Sequence, residues 1–331
     1  MVETVLHLAA QNLLSPIILF FALGVAAALV RSDLTFPEAA AKALSIYLLF
    51  AIGFKGGVSV SAHGIDATLV WSLVAGVCLS FLLPFAAFGL LRAMTRLGAL
   101  DAAAVAGHYG SISIVTFVAA TSVLQSQNIA GEGYLVAVAA AMEAPAILSA
   151  LWLAARFAQP DERGPRSRET QGLWREILFN GSIVLLVGSF VIGFVSGPKG
   201  LADIESFIVS PFKGVLCLFL LDMGLVAGRG LKASANQLRP GLILFGILMP
   251  LLGAFAGAVT ASLIGLSTGG TVLFMTLAAS ASYIAVPAAM RVALPEANPS
   301  IYLTMSLGIT FPFNLTLGIP LYLSAAQAIG G

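Results

Sequence analysis

The sequence predicts an all-α membrane protein of ten transmembrane helices, built as two inverted five-helix repeats whose fourth and ninth helices are discontinuous. Three observations lead there. The 331 residues are 59% hydrophobic and only 9% charged, with a mean hydropathy of +1.00, whereas soluble domains carry about a quarter charged residues. The two halves echo each other: Pro84 and Pro250, Ser111-Ile112-Ser113 and Ser280-Ala281-Ser282, and Pro145 and Pro312 recur at offsets of 166, 169 and 167 residues. The basic residues, finally, favour one side of the layout that an odd number of spans per half produces.

The elements follow from apolar runs read against punctuation. About 20 mainly apolar residues make one membrane-crossing helix, and uncharged stretches run from Ala67 to Leu91, Ala102 to Gly131, Pro240 to Met290 and Ala297 to Gly331. The period-2 pattern of an outer-membrane barrel is missing. The first span, 13–30, is expected to be retained, because Met1 to Asn12 lacks the basic start of a cleaved signal peptide. The second, 39–54, ends beside Lys55, and the third, 68–91, contains Pro84. The fourth, 102–124, is interrupted by Gly107-His108-Tyr109-Gly110-Ser111-Ile112-Ser113, and the fifth, 134–157, carries Met142-Glu143-Ala144-Pro145. A hydrophilic linker at 159–176, with Asp161, Arg163, Arg166, Arg168 and Arg175, divides the chain into a first repeat at 1–158 and a second at 177–331. The second repeat supplies spans at 177–196, 208–227 with Asp222, 240–265 with Pro250, 270–293 broken at Ser280-Ala281-Ser282-Tyr283, and 300–326 with Pro312 and Asn314.

Five spans per repeat turn the second half upside down relative to the first. With the linker cytoplasmic, 13 of the 16 basic residues fall inside and only Lys55, Lys199 and Lys213 fall outside. Both termini are then non-cytoplasmic and the expected location is the cell (inner) membrane. A net charge of +1 spread over short loops offers no basic arm for nucleic acid. Cys78 and Cys217 lie inside apolar runs and read as buried small hydrophobes, not as a metal or disulfide pair.

The interruptions carry the chemistry. A helix broken at membrane depth exposes free N–H groups and the positive end of its dipole at the start of its second half, which suits an anion. Irregular backbone at that depth is tolerated only where it is buried in protein or lines a cavity. Two such breaks, related by an inverted repeat, point to the binding site of a secondary transporter, with Ser111, Ser113, Ser280 and Ser282 as added donors. The opposing reading is that small residues serve helix packing; the duplication favours the site. Glu143, a carboxylate at mid-span, reads as a sodium ligand, a proton carrier or a substrate acceptor. Its repeat mate region offers the neutral amide of Asn314. Lys55 and Asp222 occupy corresponding positions and read as static ion-pair or interface residues, with gating as the lesser reading. His108 beside the first break reads as a hydrogen-bonded wall more readily than as a proton carrier.

Gly110-Ser111-Ile112-Ser113-Ile114-Val115-Thr116, Met142-Glu143-Ala144-Pro145-Ala146, Ala278-Ala279-Ser280-Ala281-Ser282 and, most specifically, the Pro295-Glu296-Ala297-Asn298-Pro299-Ser300 turn resemble the sodium-dependent bicarbonate transporter family over nearly the whole chain. The resemblance implies the ten-helix inverted-repeat fold, a core and a gate domain mixing helices of both repeats, an elevator-like motion, a homotrimer, and sodium-coupled bicarbonate uptake regulated by a PII-like cytosolic partner. Carried over residue by residue, it places substrate at Gly110, Ser111, Ser113, Thr116, Ser280, Ser282 and Asn314, and the coupling sodium near Glu143 and Ser282. The family's acid after the ninth-span serines is here Tyr283, a phenol that is neutral near pH 7, and its fifth-span aspartate is here Glu143. A small organic carboxylate, or proton coupling through Glu143, remains an alternative. An intramembrane serine hydrolase using Ser111 or Ser113 with His108 is a remote one, since no third orienting group is evident. The chain is therefore expected not to be an enzyme and to need no cofactor beyond the coupling ion.

Overall fold

The computed structural model describes residues 13–158, 181–233 and 239–330, and these are helical, without strands. Met1 to Asn12, the expected linker at 159–176 and Gly331 lie outside the described residues. The helices are α1 (Pro16–Leu29), α2 (Glu38–His63), α3 (Ala67–Met94), α4 (Ala99–Gly110), α5 (Ile114–Ser126), α6 (Leu135–Ala141), α7 (Glu143–Phe157) and α8 (Gly181–Ile208). They continue with α9 (Phe212–Ala233), α10 (Pro240–Ile264), α11 (Thr268–Ala279), α12 (Ala285–Ala293) and α13 (Pro299–Gly330). Eight segments among them are long and apolar enough to cross a membrane, with α4–α5 and α6–α7 counting as one each. The first span is represented by α1, of 14 residues, and the ninth opens with α11, of 12 residues, both apolar but shorter than that length.

Boundaries differ from the sequence reading where apolarity and helicity part company. Helix α2 runs nine residues past the expected end at Phe54, because Gly56, Gly57 and Ser59 interrupt hydropathy without breaking the helix. Lys55 is thus inside α2 and not at its end. Helix α9 likewise extends to Ala233, which leaves Asp222 near its middle. In α8 the chain turns at Gly197, whose φ of 61° only glycine adopts freely, and Pro198 then starts a second stretch that ends at Ile208.

Two groups of helices pack together. In one, α1 crosses α9 and α2 crosses α8, each at a pair of glycines that lets backbones touch. A Cβ on Gly24 would strike the Leu221 carbonyl and one on Gly224 the Phe21 carbonyl. In the second crossing, Gly193 meets the Phe54 carbonyl and Gly57 the Phe190 carbonyl. Both contacts of the first crossing recur in the second, their four positions matching at offsets of 167 or 169 residues. In the other group, α3 packs on α4 and α7, and α10 on α11, with α3 against α10. The α4–α5 span is its centre: the apolar window of Ala99–Ser126 is 100% buried, against 33% for α3 and 22% for α8, which lie at the rim. Exposed Trp71, Val195, Phe255 and Leu263 on the rim helices present the apolar surface that lipid covers.

Candidate functional site

Both expected interruptions are breaks in the helical backbone. Helix α4 ends at Gly110, and Ser111 and Ser113 are extended (φ −84°, ψ 176° and φ −106°, ψ 105°) before α5 begins. Gly110 is required there by packing, since a Cβ would enter the Pro84 ring of α3. Helix α11 ends at Ala279, Ser280 is extended (φ −88°, ψ 161°), and α12 starts at Ala285. The two extended segments are bonded to each other. The Ser113 N–H donates to Ser280 Oγ at 2.8 Å, and the Ser282 N–H donates to the His108 carbonyl at 2.8 Å. The His108 ring closes the clasp from the other side, 2.6 Å from the Ser282 carbonyl through Nδ1; a carbonyl only accepts, so Nδ1 carries the proton. That ring also stacks on Tyr302 at 4.6 Å between centroids.

A third break adjoins these two. Pro145, at the third position of α7, has no N–H for the Ala141 carbonyl and crowds it, and the helix divides at Met142 between α6 and α7. Ser80 of α3 donates to the Met142 carbonyl and holds the division in place. Glu143 is therefore the first residue of a helix and projects into the crossing of the other two breaks. It is 7% exposed, and its Oε2 lies 3.5 Å from Ser111 Oγ. The repeat mate Pro312 acts differently: α13 absorbs it in π-helical turns at Thr304–Thr310 and Asn314–Gly318.

The three breaks enclose a cavity of about 10 Å³ lined by Leu49 of α2, Ile112, Ser113 and Ile114, Glu143, and Ser282 to Ala285. It holds about one water molecule. Its walls include the starts of α5 and α12, where N–H groups precede the first intrahelical bonds, and no lysine or arginine is among the described residues that line it. Tyr283 fills part of the space that a larger anion needs. Its hydroxyl faces Ser113 but stops short of hydrogen-bond geometry, and its ring meets Phe311 edge-on at 5.2 Å.

Of the residues expected from sequence, Ser113, Ser282 and Glu143 line the cavity and Ser111 adjoins it through Glu143. Others stand one layer behind and support the first. Thr116 gives its N–H (3.2 Å) and hydroxyl (2.9 Å) to Ser113 Oγ, so Ser113 caps α5. Ser280 spends its hydroxyl on the Leu277 carbonyl while accepting from Ser113. Asn314 is fully buried and donates to the Ala279 carbonyl at 2.9 Å while accepting from Tyr322 at 2.7 Å, which fixes the end of α11. Lys55 and Asp222 are not part of this cluster: Lys55 lies over the Phe212 ring, 3.9 Å from its centroid, and Asp222 is buried in α9 within electrostatic reach of Arg229. His108 is the hydrogen-bonded wall expected from the sequence, now with the Ser282 carbonyl as its partner, whereas sequence reasoning passed over the support by Ser80, Tyr109 and Tyr322. Tyr109 donates to Thr310 Oγ1 at 2.7 Å, and Thr310 donates to the Gly246 carbonyl at 2.7 Å, tying α4 to α13 and α10. A single polar residue in an apolar run was the only available signal for each of these.

Long apolar helices that break around a shared, buried, oxygen-rich cavity define a multi-pass membrane transporter. The profile of the Na+-dependent bicarbonate transporter superfamily matches residues 16–327, and the chain belongs to that superfamily. Membership makes it a transporter and not an enzyme. No curated protein matches the chain.

Proposed function

We propose that the chain imports bicarbonate together with sodium across the cell membrane, through the cavity where the α4–α5, α6–α7 and α11–α12 breaks meet. The observation that carries this reading is the mutual bonding of the two extended segments, Ser113 to Ser280 and His108 to Ser282, beside the Glu143 carboxylate. The positive ends of α5 and α12 face the space an anion would occupy. Glu143, Ser111 and backbone carbonyls are hard oxygen donors of the kind sodium prefers. An anion and a cation held side by side reduce each other's desolvation cost, which is the physical basis of coupling here.

The cavity is too small for bicarbonate as it stands, so admission requires the walls to part. The division into two packing groups supports an elevator-like movement of the α3–α7 and α10–α13 core against an α1, α2, α8 and α9 gate. The recurrence of the glycine crossings at offsets of 167 or 169 residues supports the ten-span inverted repeat, and the basic bias supports a cytoplasmic linker with both termini outside. The family resemblance extends the reading to a homotrimer and a PII-like regulator.

Labelled bicarbonate uptake into proteoliposomes, with and without an inward sodium gradient, tests the reading. Accumulation that follows the sodium gradient is expected, and Ser282→Leu abolishes it while the protein remains folded. Wild-type accumulation of bicarbonate that ignores sodium, or of organic carboxylates in preference to bicarbonate, overturns it.

A further inference from the structure

A second cavity, of about 310 Å³, lies next to the first and is lined by two lysines, Lys55 and Lys213, a residue type not found among the described residues lining the first. It is walled by Ile52, Lys55 and Gly56 of α2, Phe117 and Thr121 of α5, and Phe212 and Lys213 at the start of α9. Lys55 is held in the wall with its ammonium 3.9 Å from the Phe212 ring centroid. That contact orients the charge and removes part of its hydration. No carboxylate pairs with Lys55 among the described residues. Glu132, which also borders the cavity, is committed elsewhere: it accepts from the Ser267 N–H at 2.8 Å and the Ser267 hydroxyl at 3.0 Å.

The two cavities are separated by one layer of apolar side chains. Leu49 of α2 and Ile114 of α5 face the small cavity, while Ile52 and Phe117, three residues further along the same helices, face the large one. Three residues of helix span about 4.5 Å. All four side chains are at most 6% exposed, so the layer is dry. A half-buried ammonium without a carboxylate partner, six residues or about 9 Å along α2 from Leu49 in the wall of the anion site, is costly unless an anion visits it.

Repeat symmetry argues that Lys55 is not there for packing. The glycine contacts that build the crossings are kept in both halves, whereas position 55 and its mate 167 residues on carry opposite charges, Lys55 and Asp222. Inverted repeats put such mates toward opposite faces of the membrane. One approach to the site is thereby electropositive and the other electronegative.

We infer that the larger cavity is an anion-collecting antechamber, in which bicarbonate is held at Lys55 and reaches the helix breaks when the layer of Leu49, Ile52, Ile114 and Phe117 parts. The inference rests on the transport reading above and adds the route and the residue that recruits the substrate.

In proteoliposomes, Lys55→Gln raises the apparent KM for bicarbonate roughly tenfold, the low end of charge focusing in a cleft, and Lys55→Arg restores it. The wild-type KM rises with ionic strength more steeply than that of Lys55→Gln, which keeps only Lys213 in the cavity wall. A second measurement is independent of transport. In a background without Cys78 and Cys217, Thr121→Cys reacts faster with an anionic than with a cationic thiosulfonate of similar size. External bicarbonate slows the anionic reagent with Lys55 intact, and adding Lys55→Gln reverses the reagent preference. Sodium-dependent uptake with an unchanged KM and salt response in Lys55→Gln overturns the antechamber and leaves the transport reading standing. Equal reaction of Thr121→Cys with both reagents, indifferent to bicarbonate, overturns it even if the Lys55 variants do not fold. A wild type that takes up no bicarbonate sinks the transport reading itself.

Discussion

Glu143→Gln separates the fold from the coupling function. The substitution keeps the side chain's size and replaces a carboxylate with an amide. The structural loss is small, because the hydrogen bond that the Glu143 carboxylate accepts among the described residues, from Ser111 Oγ, is long at 3.5 Å; a weak bond of this kind contributes under about 1 kcal/mol. The functional loss is large. Glu143 is 7% exposed and is the only charged side chain among the described residues lining its cavity, so it is the group that offsets the charge of a sodium ion held there. Removing one member of a buried charge pair costs about 2–5 kcal/mol, which at 1.4 kcal/mol per decade is roughly a 30- to 4,000-fold loss of apparent sodium affinity. Bicarbonate uptake by proteoliposomes is measured over a sodium titration, with thermal melting in detergent as the control for folding. The expected outcome is a near-wild-type melting temperature with sodium stimulation lost or moved beyond the accessible concentration range. A wild-type sodium half-saturation in Glu143→Gln refutes the assignment and directs the search for the cation site to Asp222. Wild-type uptake that follows a proton gradient without sodium, and whose pH dependence Glu143→Gln flattens, assigns the same carboxylate to proton coupling instead.

The other predictions test the clasp, the crossings and the topology. His108→Phe keeps the ring that stacks on Tyr302 but leaves the buried Ser282 carbonyl without its donor, so it lowers stability by about 1–3 kcal/mol and depresses uptake; unchanged melting and uptake would show that the clasp is dispensable. Ser280→Ala removes the acceptor of the Ser113 N–H and is expected to cost a similar amount, read from the same melts. Gly24→Leu and Gly193→Leu force side chains into the carbonyls of Leu221 and Phe54 at the two repeat-related crossings; both should destabilise by at least about 1–3 kcal/mol and to a comparable degree, and tolerance of either by gel filtration and melting contradicts the close backbone contact. For orientation, Ser126→Cys should react with an impermeant maleimide added outside intact cells and Thr95→Cys only after permeabilisation, and the reverse pattern inverts the topology.

Much of this protein is legible without a structure, because a bilayer makes local sequence decisive. Backbone groups in hydrocarbon must bond within their own helix, so runs of apolar residues declare helices and clusters of glycine, serine and proline declare where helices fail. Ser111-Ile112-Ser113 and Ser280-Ala281-Ser282 are where the backbone does leave the helix, and Glu143 is where a buried carboxylate stands. Even so, apolarity misjudged the ends of α2 and α9, since glycine and serine lower hydropathy without breaking a helix, and it overlooked the division at Met142, although Pro145 marked it. Which residues meet was decided only by tertiary structure. Ser113 finds Ser280 across 167 positions and His108 finds Ser282 across 174, and no local pattern selects such partners. The same packing bonds Thr116 to Ser113, Ser280 to the Leu277 carbonyl and Asn314 to the Ala279 carbonyl, puts Tyr283 in the cavity wall, and sets the volume near one water molecule. The sequence determined that these helices must break, through the residues at each break; which face of each break points at which neighbour depends on how thirteen helices share one interior, and that is a property of the whole packing.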